Sequence, residues 1–246
     1  MNQLKTVLKK HETIKYTQTK IHAIDPELLR QRRVVALKKY GTESETFRLL
    51  RTKTLKQFRQ NNWNSIGITA PTQGAGKSMV AVNLAIAMAQ DVNQTVLLVD
   101  LDLRQPKVHW YFDSHVEKGL SDYLLTDIPL NEVLIHPSIE RLVILPGRGR
   151  VQSASELLMG PKMRGIVEEI KQRYESRIII FDLPSTLVSD DVLACLEFFD
   201  ASLLVVAEGE NKQEDVTKSL QLLSTTNLLG IVLNKAARTP DHIGSF

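Results

Sequence analysis

Residues 70–78 read Ala70-Pro71-Thr72-Gln73-Gly74-Ala75-Gly76-Lys77-Ser78, and this stretch decides the fold. It follows a short apolar run and opens a helical pattern. A strand, a Gly-x-Gly-Lys-Ser turn and a helix place backbone N–H groups and a helix N-terminus around a phosphate chain. The usual pattern has glycine six positions before the lysine, where this chain has Pro71. The sequence therefore predicts a variant P-loop that binds ATP with Mg²⁺.

Each residue type in the loop has an expected task. Lys77 is expected to reach the β and γ phosphates, and Ser78 to offer its hydroxyl to Mg²⁺. Gly74 and Gly76 let the backbone approach oxygens that a Cβ would block. The expected nucleotide contacts are Gln73, Gly74, Ala75, Gly76, Lys77, Ser78 and Met79.

Beyond the loop, short β-branched runs alternate with helical patterns. The runs predict strands at 65–69, 95–99, 142–145, 177–181, 202–207 and 230–233. The helical patterns cover 78–90, 162–174, 190–198 and 211–224. Strands that are apolar nearly throughout need helices on both faces. We therefore expect an α/β fold of the P-loop NTPase type, a doubly wound and mostly parallel sheet with a helical N-terminal extension.

The N-terminal part has a different composition. Residues 1–60 hold 15 Lys/Arg against 5 Asp/Glu. We expect a basic, partly mobile extension over 1–42, with a mobile arm at 1–25, and a nucleotide-binding domain over 43–246. One short helix is expected from Pro26 through Leu37, and a second with Thr42 as its cap. The basic arm could bind acidic lipid, nucleic acid or an acidic partner, or could be a solvated face.

Two features bear on the compartment. No apolar run is long enough to cross a bilayer, and the N-terminus lacks the apolar core of a secretion signal. Cys195, the single cysteine, lies in an apolar helical run and is expected to be a buried structural thiol. The sequence favours a cytoplasmic protein.

Acidic residues close two of the predicted strands. Asp182 ends an apolar strand, where a carboxylate can lie beside the water shell of Mg²⁺. Asp100 and Asp102 follow another strand at alternate positions, so one can hold the metal while the other accepts a proton from a hydroxyl. Which aspartate does which task is open. Arg104 could neutralise charge on a transferred phosphoryl group or form a salt bridge with a neighbouring acid.

These motifs resemble those of the bacterial tyrosine kinases of the exopolysaccharide type, including the kinases that accompany exosortase systems. The likeness covers about 43–240 and includes the variant P-loop, the segments 97–106 and 178–184, and a Glu-x-x-Arg-x-x-Arg helix beginning at Glu45. The resemblance implies a cytoplasmic kinase that forms a ring through that helix. It further implies activation by an inner-membrane polysaccharide co-polymerase, at the inner face of the membrane, and phosphorylation of tyrosines on neighbouring subunits.

Two other readings remain. Partition-type ATPases of the same superfamily carry a second lysine where this chain has Thr72, which argues against that type and against a specific nucleic-acid partner. A nucleotide-gated scaffold for the co-polymerase is the other. Asn234, after the last predicted strand, could contact the adenine base or form a turn.

The tyrosines limit the possible acceptors. The resemblance would lead us to expect a tyrosine cluster near the C-terminus, yet the last tyrosine is Tyr174. We therefore expect any self-label on Tyr16 or Tyr40 in the basic extension, with a foreign protein as the next choice.

Overall fold

The computed structural model describes residues 20–21, 25–112, 116–172 and 176–237. Its strands are β1 (Lys20–Ile21), β2 (Ser65–Thr69), β3 (Thr95–Asp100), β4 (Ile135–His136), β5 (Leu142–Leu145), β6 (Arg177–Asp182), β7 (Ala201–Ala207) and β8 (Asn227–Asn234). Its helices are α1 (Pro26–Gln31), α2 (Thr42–Asn61), α3 (Lys77–Ala89), α4 (Val108–Tyr111), α5 (Leu120–Leu125), α6 (Ala154–Met159), α7 (Pro161–Gln172), α8 (Asp191–Cys195) and α9 (Gln213–Leu222).

The strands form one sheet in the order β1-β4-β5-β3-β6-β2-β7-β8. All neighbours among the described strands pair in parallel except β4 and β5. The six strands expected from the sequence are confirmed, with bounds that differ by up to three residues. The two-residue strands β1 and β4 were not expected.

Helices cover both faces of the sheet, as the doubly wound prediction requires. On one face α2 and α3 pack against alternate residues of the central strands, including Ile66, Val96 and Ile180. On the other face α6, α7 and α8 cover the intervening residues, such as Leu97 and Ile179. No helix in the described ranges combines the length and apolar character needed to cross a membrane.

The described part of the N-terminal extension packs into the same core. Leu29, Val34 and Ala36 are buried there with α3. The expected helix through Leu37 is wrong: α1 ends at Gln31, because Arg33 takes a left-handed backbone conformation (φ +60°) that a helix cannot continue through.

Two further expectations for this region need correction. Thr42 is the first helical residue of α2 and Gly41 is the cap, which makes no side-chain capping bond. Lys20–Ile21 forms a strand beside β4, so these two residues are not part of a mobile arm. The rest of that arm, 1–19 and 22–24, lies outside the described residues, as does Tyr174.

Asp200 joins the start of β2 to the start of β7. Its Oδ2 accepts hydrogen bonds from the backbone N–H groups of Asn64 (2.9 Å) and Ser65 (3.0 Å) and from the Ser65 hydroxyl (2.7 Å). Lys171 lies 3.1 Å from Oδ1. Partial burial opposes ionisation, but these donors outweigh it, and the pKa of Asp200 lies below its usual value.

We expect Asp200→Asn to lower the free energy of unfolding by about 1–3 kcal/mol at neutral pH, because a charged acceptor of several donors is lost. The folded-state pKa is depressed, so the stabilisation is complete above the unfolded-state pKa and is lost as pH falls through the folded-state value. Urea unfolding of parent and variant at several pH values tests this. Asp127→Asn, at an exposed position, is the matched control. A difference that persists unchanged into acid would contradict the assignment.

Candidate nucleotide-binding and phosphoryl-transfer site

The P-loop lies at the carboxyl edge of the sheet, between β2 and α3. Gly74 (φ +86°) and Gly76 (φ +96°) both take conformations that L-residues rarely adopt. A Cβ on Gly76 would also overlap the side-chain amide of Asn234. Gly74 is therefore favoured by backbone angle, and Gly76 is required by both backbone angle and space.

Backbone groups of a later segment hold the first part of the loop. After β6, the N–H of Thr186 donates to the carbonyl oxygen of Ala70 (2.9 Å), and the N–H of Leu187 donates to that of Pro71 (3.1 Å). Both contacts come from the loop that follows Asp182. The P-loop and the Asp182 strand end are thus joined directly.

Two asparagine side chains hold the rest of the loop. Asn211, in the turn after β7, donates from Nδ2 to the Thr72 hydroxyl (2.7 Å), while its Oδ1 accepts from the N–H of Ala207 (2.8 Å). Asn234 donates from Nδ2 to the carbonyl oxygen of Ala75 (2.8 Å). Asn234 therefore shapes the loop, and its contact with adenine stays a prediction.

Lys77 is buried at the centre of the site, with a side chain that is 11% exposed. Its Nζ lies 2.8 Å from Asp102 Oδ2 and 3.5 Å from Asp182 Oδ1. Burial works to lower the pKa of Lys77, but Asp182, Asp102 and Asp100 outweigh it and raise that pKa above its usual value. Lys77 therefore stays positively charged.

Asp182 is fully buried, and its two carboxylate oxygens have no hydrogen-bond partner within the described residues. Its nearest counter-charge is the 3.5 Å contact with Lys77. Burial raises the pKa of Asp182, and the positive charge of Lys77 opposes this. Buried carboxylate oxygens without donors are well suited to accept hydrogen bonds from the water shell of a metal ion.

Asp100 lies directly opposite Asp182 in the pairing of β3 with β6. Its Oδ1 accepts from the N–H of Asp102 (3.2 Å), and its Oδ2 accepts from the N–H groups of Lys107 (2.9 Å) and Val108 (3.0 Å). Burial, together with the charge of Asp182, raises the pKa of Asp100 to about 8. Asp100 thus fixes the segment that carries Asp102 and the start of α4.

The described residues contain no group of three or more His, Cys, Asp or Glu arranged to hold a metal ion. Mg²⁺ in nucleotide sites usually takes one or two protein ligands, with water and phosphate oxygens completing the shell. The Ser78 hydroxyl and the unpartnered oxygens of Asp182 suit that arrangement. The donor set therefore fits Mg²⁺ bound with a nucleotide.

Arg104 binds a different acid from those around Lys77. Its Nε and Nη2 lie 2.5 and 3.0 Å from the two carboxylate oxygens of Asp191, which is 1% exposed. A buried carboxylate needs such a partner. The salt-bridge alternative is thus the observed one, and this pairing does not support the catalytic expectation for Arg104.

Two more residues were expected to contact the nucleotide, Gln73 in the loop and Met79 just after it. The Gln73 side chain is exposed to solvent, and Met79 is half-buried beside Gly76. The sequence did not single out Thr186, Asp191 or Asn211. Asn211 could have been found from its place in a polar turn directly after an apolar strand. The burial of Cys195 was expected and is confirmed, and burial raises the pKa of its thiol.

This fold and site define a P-loop nucleotide-binding protein. The model of a family described as "AAA domain" matches residues 64–228. The tyrosine-protein kinase YwqD of Bacillus subtilis is 31% identical over 207 residues, which covers 83% of this chain and 86% of that protein. The tyrosine-protein kinase etk of Escherichia coli is 34% identical over 193 residues, which covers 77% of this chain but 26% of etk.

A solved structure supports the same relationship. The chimerical protein CapA2B2 superposes with a TM-score of 0.78 at 28% identity, covering 84% of this chain and 91% of that one. The chain belongs to the bacterial tyrosine kinase family of P-loop proteins.

We expect Thr72→Val to weaken nucleotide binding by about 2- to 10-fold, because one neutral hydrogen bond contributes about 0.5–1.5 kcal/mol. Thr72→Ser keeps the hydroxyl and should restore most of the affinity. Titration with a fluorescent ADP analogue measures both variants.

Adding Thr72→Val to Asn211→Ala should then cost less than it does alone, since the two residues share one contact. Equal affinities for the Val and Ser variants, or fully additive losses, would contradict a positioning role for this pair.

Proposed function

We propose that the chain is a protein-tyrosine kinase that transfers the γ-phosphoryl group of ATP in the control of exopolysaccharide synthesis or export. One observation carries this proposal: a buried lysine at a P-loop helix lies among carboxylates from the ends of two parallel strands. A nucleotide-binding loop needs Lys77 and Ser78. Asp102, beside Lys77, is the extra group that a kinase needs for the incoming hydroxyl.

Lys77 has two sets of partners in this proposal. In the structure it contacts Asp102 and Asp182. With ATP its ammonium group turns to the β and γ phosphates, which carry more negative charge and lie in front of the loop N–H groups. The turn of Lys77 frees Asp102 Oδ2 close to the reacting phosphorus.

Asp102 is the better placed of the two candidate bases. Within the described part of the chain, the three hydrogen bonds to Asp100 come from backbone N–H groups that fix its position, whereas Asp102 Oδ2 contacts only Lys77. In the transfer, the bond from the tyrosine oxygen to the γ-phosphorus forms while the bond to the β,γ-bridging oxygen breaks. ADP keeps the electron pair, and the hydroxyl proton passes to Asp102.

Ser78 and Asp182 are the residues that would bind Mg²⁺ and its water shell, and Asp100 would support them. Mg²⁺, when bound, neutralises charge on the β and γ phosphates. Ser78 would offer its hydroxyl, and Asp182 would hold water of the metal shell through its unpartnered oxygens. Asp100 would act mainly by keeping Asp182 and Asp102 at this distance.

The partition-type reading is less well supported. In this chain Thr72 takes the place of the second lysine and is bound by Asn211 of its own subunit. The cellular setting we propose is the inner face of the cytoplasmic membrane, reached through a polysaccharide co-polymerase. Residues 43–246 would form the kinase domain, with 1–42 as an extension whose described residues Leu29, Val34 and Ala36 pack against it.

The tyrosines differ greatly in access. Tyr40 is 77% exposed, whereas Tyr111 is half-buried against the core. Burial and the charge of Asp182 raise the pKa of the Tyr111 hydroxyl to about 12. Access alone therefore places Tyr40 first among the tyrosines that the structure describes, with Tyr16 and Tyr174 outside that part.

Helix α2 carries the motif that the family resemblance links to ring assembly. Its arginines make contacts within the chain: Arg51 donates to the carbonyl oxygen of Ala87 (3.1 Å) and Arg48 to that of Lys39 (3.0 Å). Glu45 is exposed, and its one ion-pair contact among the described residues is with Arg48 at 3.7 Å. Glu45 is the motif residue most free to meet a neighbour.

We expect Glu45→Ala to weaken self-association roughly two- to fivefold, the size of a surface ion pair. Arg51→Ala should weaken it as well, but with some loss of stability because of the Ala87 contact. Light scattering over a concentration series measures both, with Glu43→Ala as the matched control. An unchanged oligomer distribution in Glu45→Ala would mean that α2 presents a solvated face.

We expect Lys77→Met to abolish nucleotide binding or turnover, because no other loop side chain brings positive charge to the phosphates. The exposed Lys53→Met is the matched control. Parent and variants are incubated with Mg-ATP, with and without the co-polymerase's cytoplasmic segment, and phosphotyrosine is mapped by mass spectrometry. Nucleotide binding without phosphotyrosine on any supplied protein would favour the scaffold reading, and full turnover by folded Lys77→Met would overturn the loop assignment.

A further inference from the structure

Two loops at the carboxyl edge converge on Asp100. The N–H of Lys107, in the loop after β3, donates to Asp100 Oδ2 (2.9 Å). Gly147, in the loop after β5, is so close that an added Cβ would lie 3.3 Å from Asp100 Cγ and 2.7 Å from the Cβ of Pro106. The two loops therefore lie side by side along the rim of the proposed catalytic site.

Both loops carry basic residues at this place. We call these residues the cationic rim: Arg104, Lys107, Arg148 and Arg150. Two of them are neutralised, Arg104 by Asp191 (2.5 Å) and Arg148 by Asp122 (2.8 Å). Lys107 and Arg150 are exposed, and neither has a carboxylate within ion-pair distance among the described residues.

The cationic rim lies where the residues that flank an acceptor tyrosine would pass. A tyrosine hydroxyl that reaches Asp102 has to enter from the solvent side of the carboxyl edge, so the residues next to it in sequence pass over this rim. Two unpaired cations exert their field over about 10 Å at ordinary ionic strength. That is the reach of two or three residues of an extended peptide.

We propose that the cationic rim binds acidic residues flanking the acceptor tyrosine, so that the substrate class is tyrosine within an acidic segment. This inference rests on the proposed kinase function. The proposal also ranks the candidate acceptor tyrosines by the charge of their neighbouring residues. Tyr40 follows Lys38 and Lys39, which the rim repels, so an acidic segment of another protein is favoured over the chain's own basic extension.

The test compares peptides that differ only beside one tyrosine, with Glu, Gln or Lys at the flanking positions. We expect kcat/KM for the Glu peptide to exceed that for the Gln peptide by about 5- to 10-fold at low salt, and the ratio to fall as salt is added. In Lys107→Gln/Arg150→Gln the ratio should approach one. Lys56→Gln/Arg59→Gln, on the exposed end of α2 that leads to the opposite edge of the sheet, should keep the parent ratio.

Several results would overturn the proposal. One is a Glu-to-Gln ratio of kcat/KM near one for the parent, and another is a ratio that is unchanged in Lys107→Gln/Arg150→Gln. A third is a loss of ATP affinity in that variant as large as its loss of kcat/KM, which would assign the cations to nucleotide binding. A loss confined to binding of phosphatidylglycerol vesicles would assign them to a membrane. Peptide binding is also measured by fluorescence anisotropy. If no peptide is phosphorylated but the Glu peptide binds through Lys107 and Arg150, the kinase function fails while the acidic-segment surface stands.

Discussion

The buried charge of Lys77 is the constraint on which the rest of the site depends. A buried ammonium group needs carboxylates close by, and here they come from different strands. Lys77 follows β2, Asp182 ends the neighbouring β6, and Asp102 follows β3, which lies beyond β6. The strand order is what brings these three groups together. A sheet in which β3, β6 and β2 were not neighbours would separate the lysine from these aspartates.

The central sheet could be predicted because its strands are buried on both faces and therefore read as continuous apolar runs. The edge strands β1 and β4 could not, since two residues carry no period and their pairing depends on distant parts of the chain. The segment after α1 was misread for another reason. Val34 and Ala36 are buried, but their segment contains a turn in which the N–H of Lys38 donates to the carbonyl oxygen of Val35 (3.0 Å), and it is not a helix.

Some residues of the candidate site could likewise be predicted from the sequence, and others could not. Lys77, Ser78, Asp100, Asp102 and Asp182 were predictable as neighbours because the three acids end or closely follow β3 and β6, the loop that carries Lys77 and Ser78 follows β2, and parallel strand ends meet at one edge. The residues that hold the loop in shape were not, because they come from turns far away in sequence. Thr72 and Asn211 are 139 residues apart, and Arg104 and Asp191 are 87 apart. For Arg104 the sequence could offer two alternatives, but only the burial of Asp191 decides between them.

The polar interior of α3 shows how the extension relates to the domain. Asn83 is fully buried and is the one polar residue of this helix after Ser78. Its Oδ1 accepts from the N–H groups of Val35 (2.7 Å) and Ala36 (2.9 Å), and its Nδ2 donates to the carbonyl oxygens of Arg33 (3.0 Å) and Met79 (2.9 Å).

Only the Met79 bond lies within α3, so the other three exist only while the extension is in place. Their net contribution to stability is about 0.5–1.5 kcal/mol for each bond. These bonds tie the extension to the helix that begins at Lys77. Residues 33–36 are therefore structurally part of the nucleotide-binding fold, although their composition belongs to the basic extension.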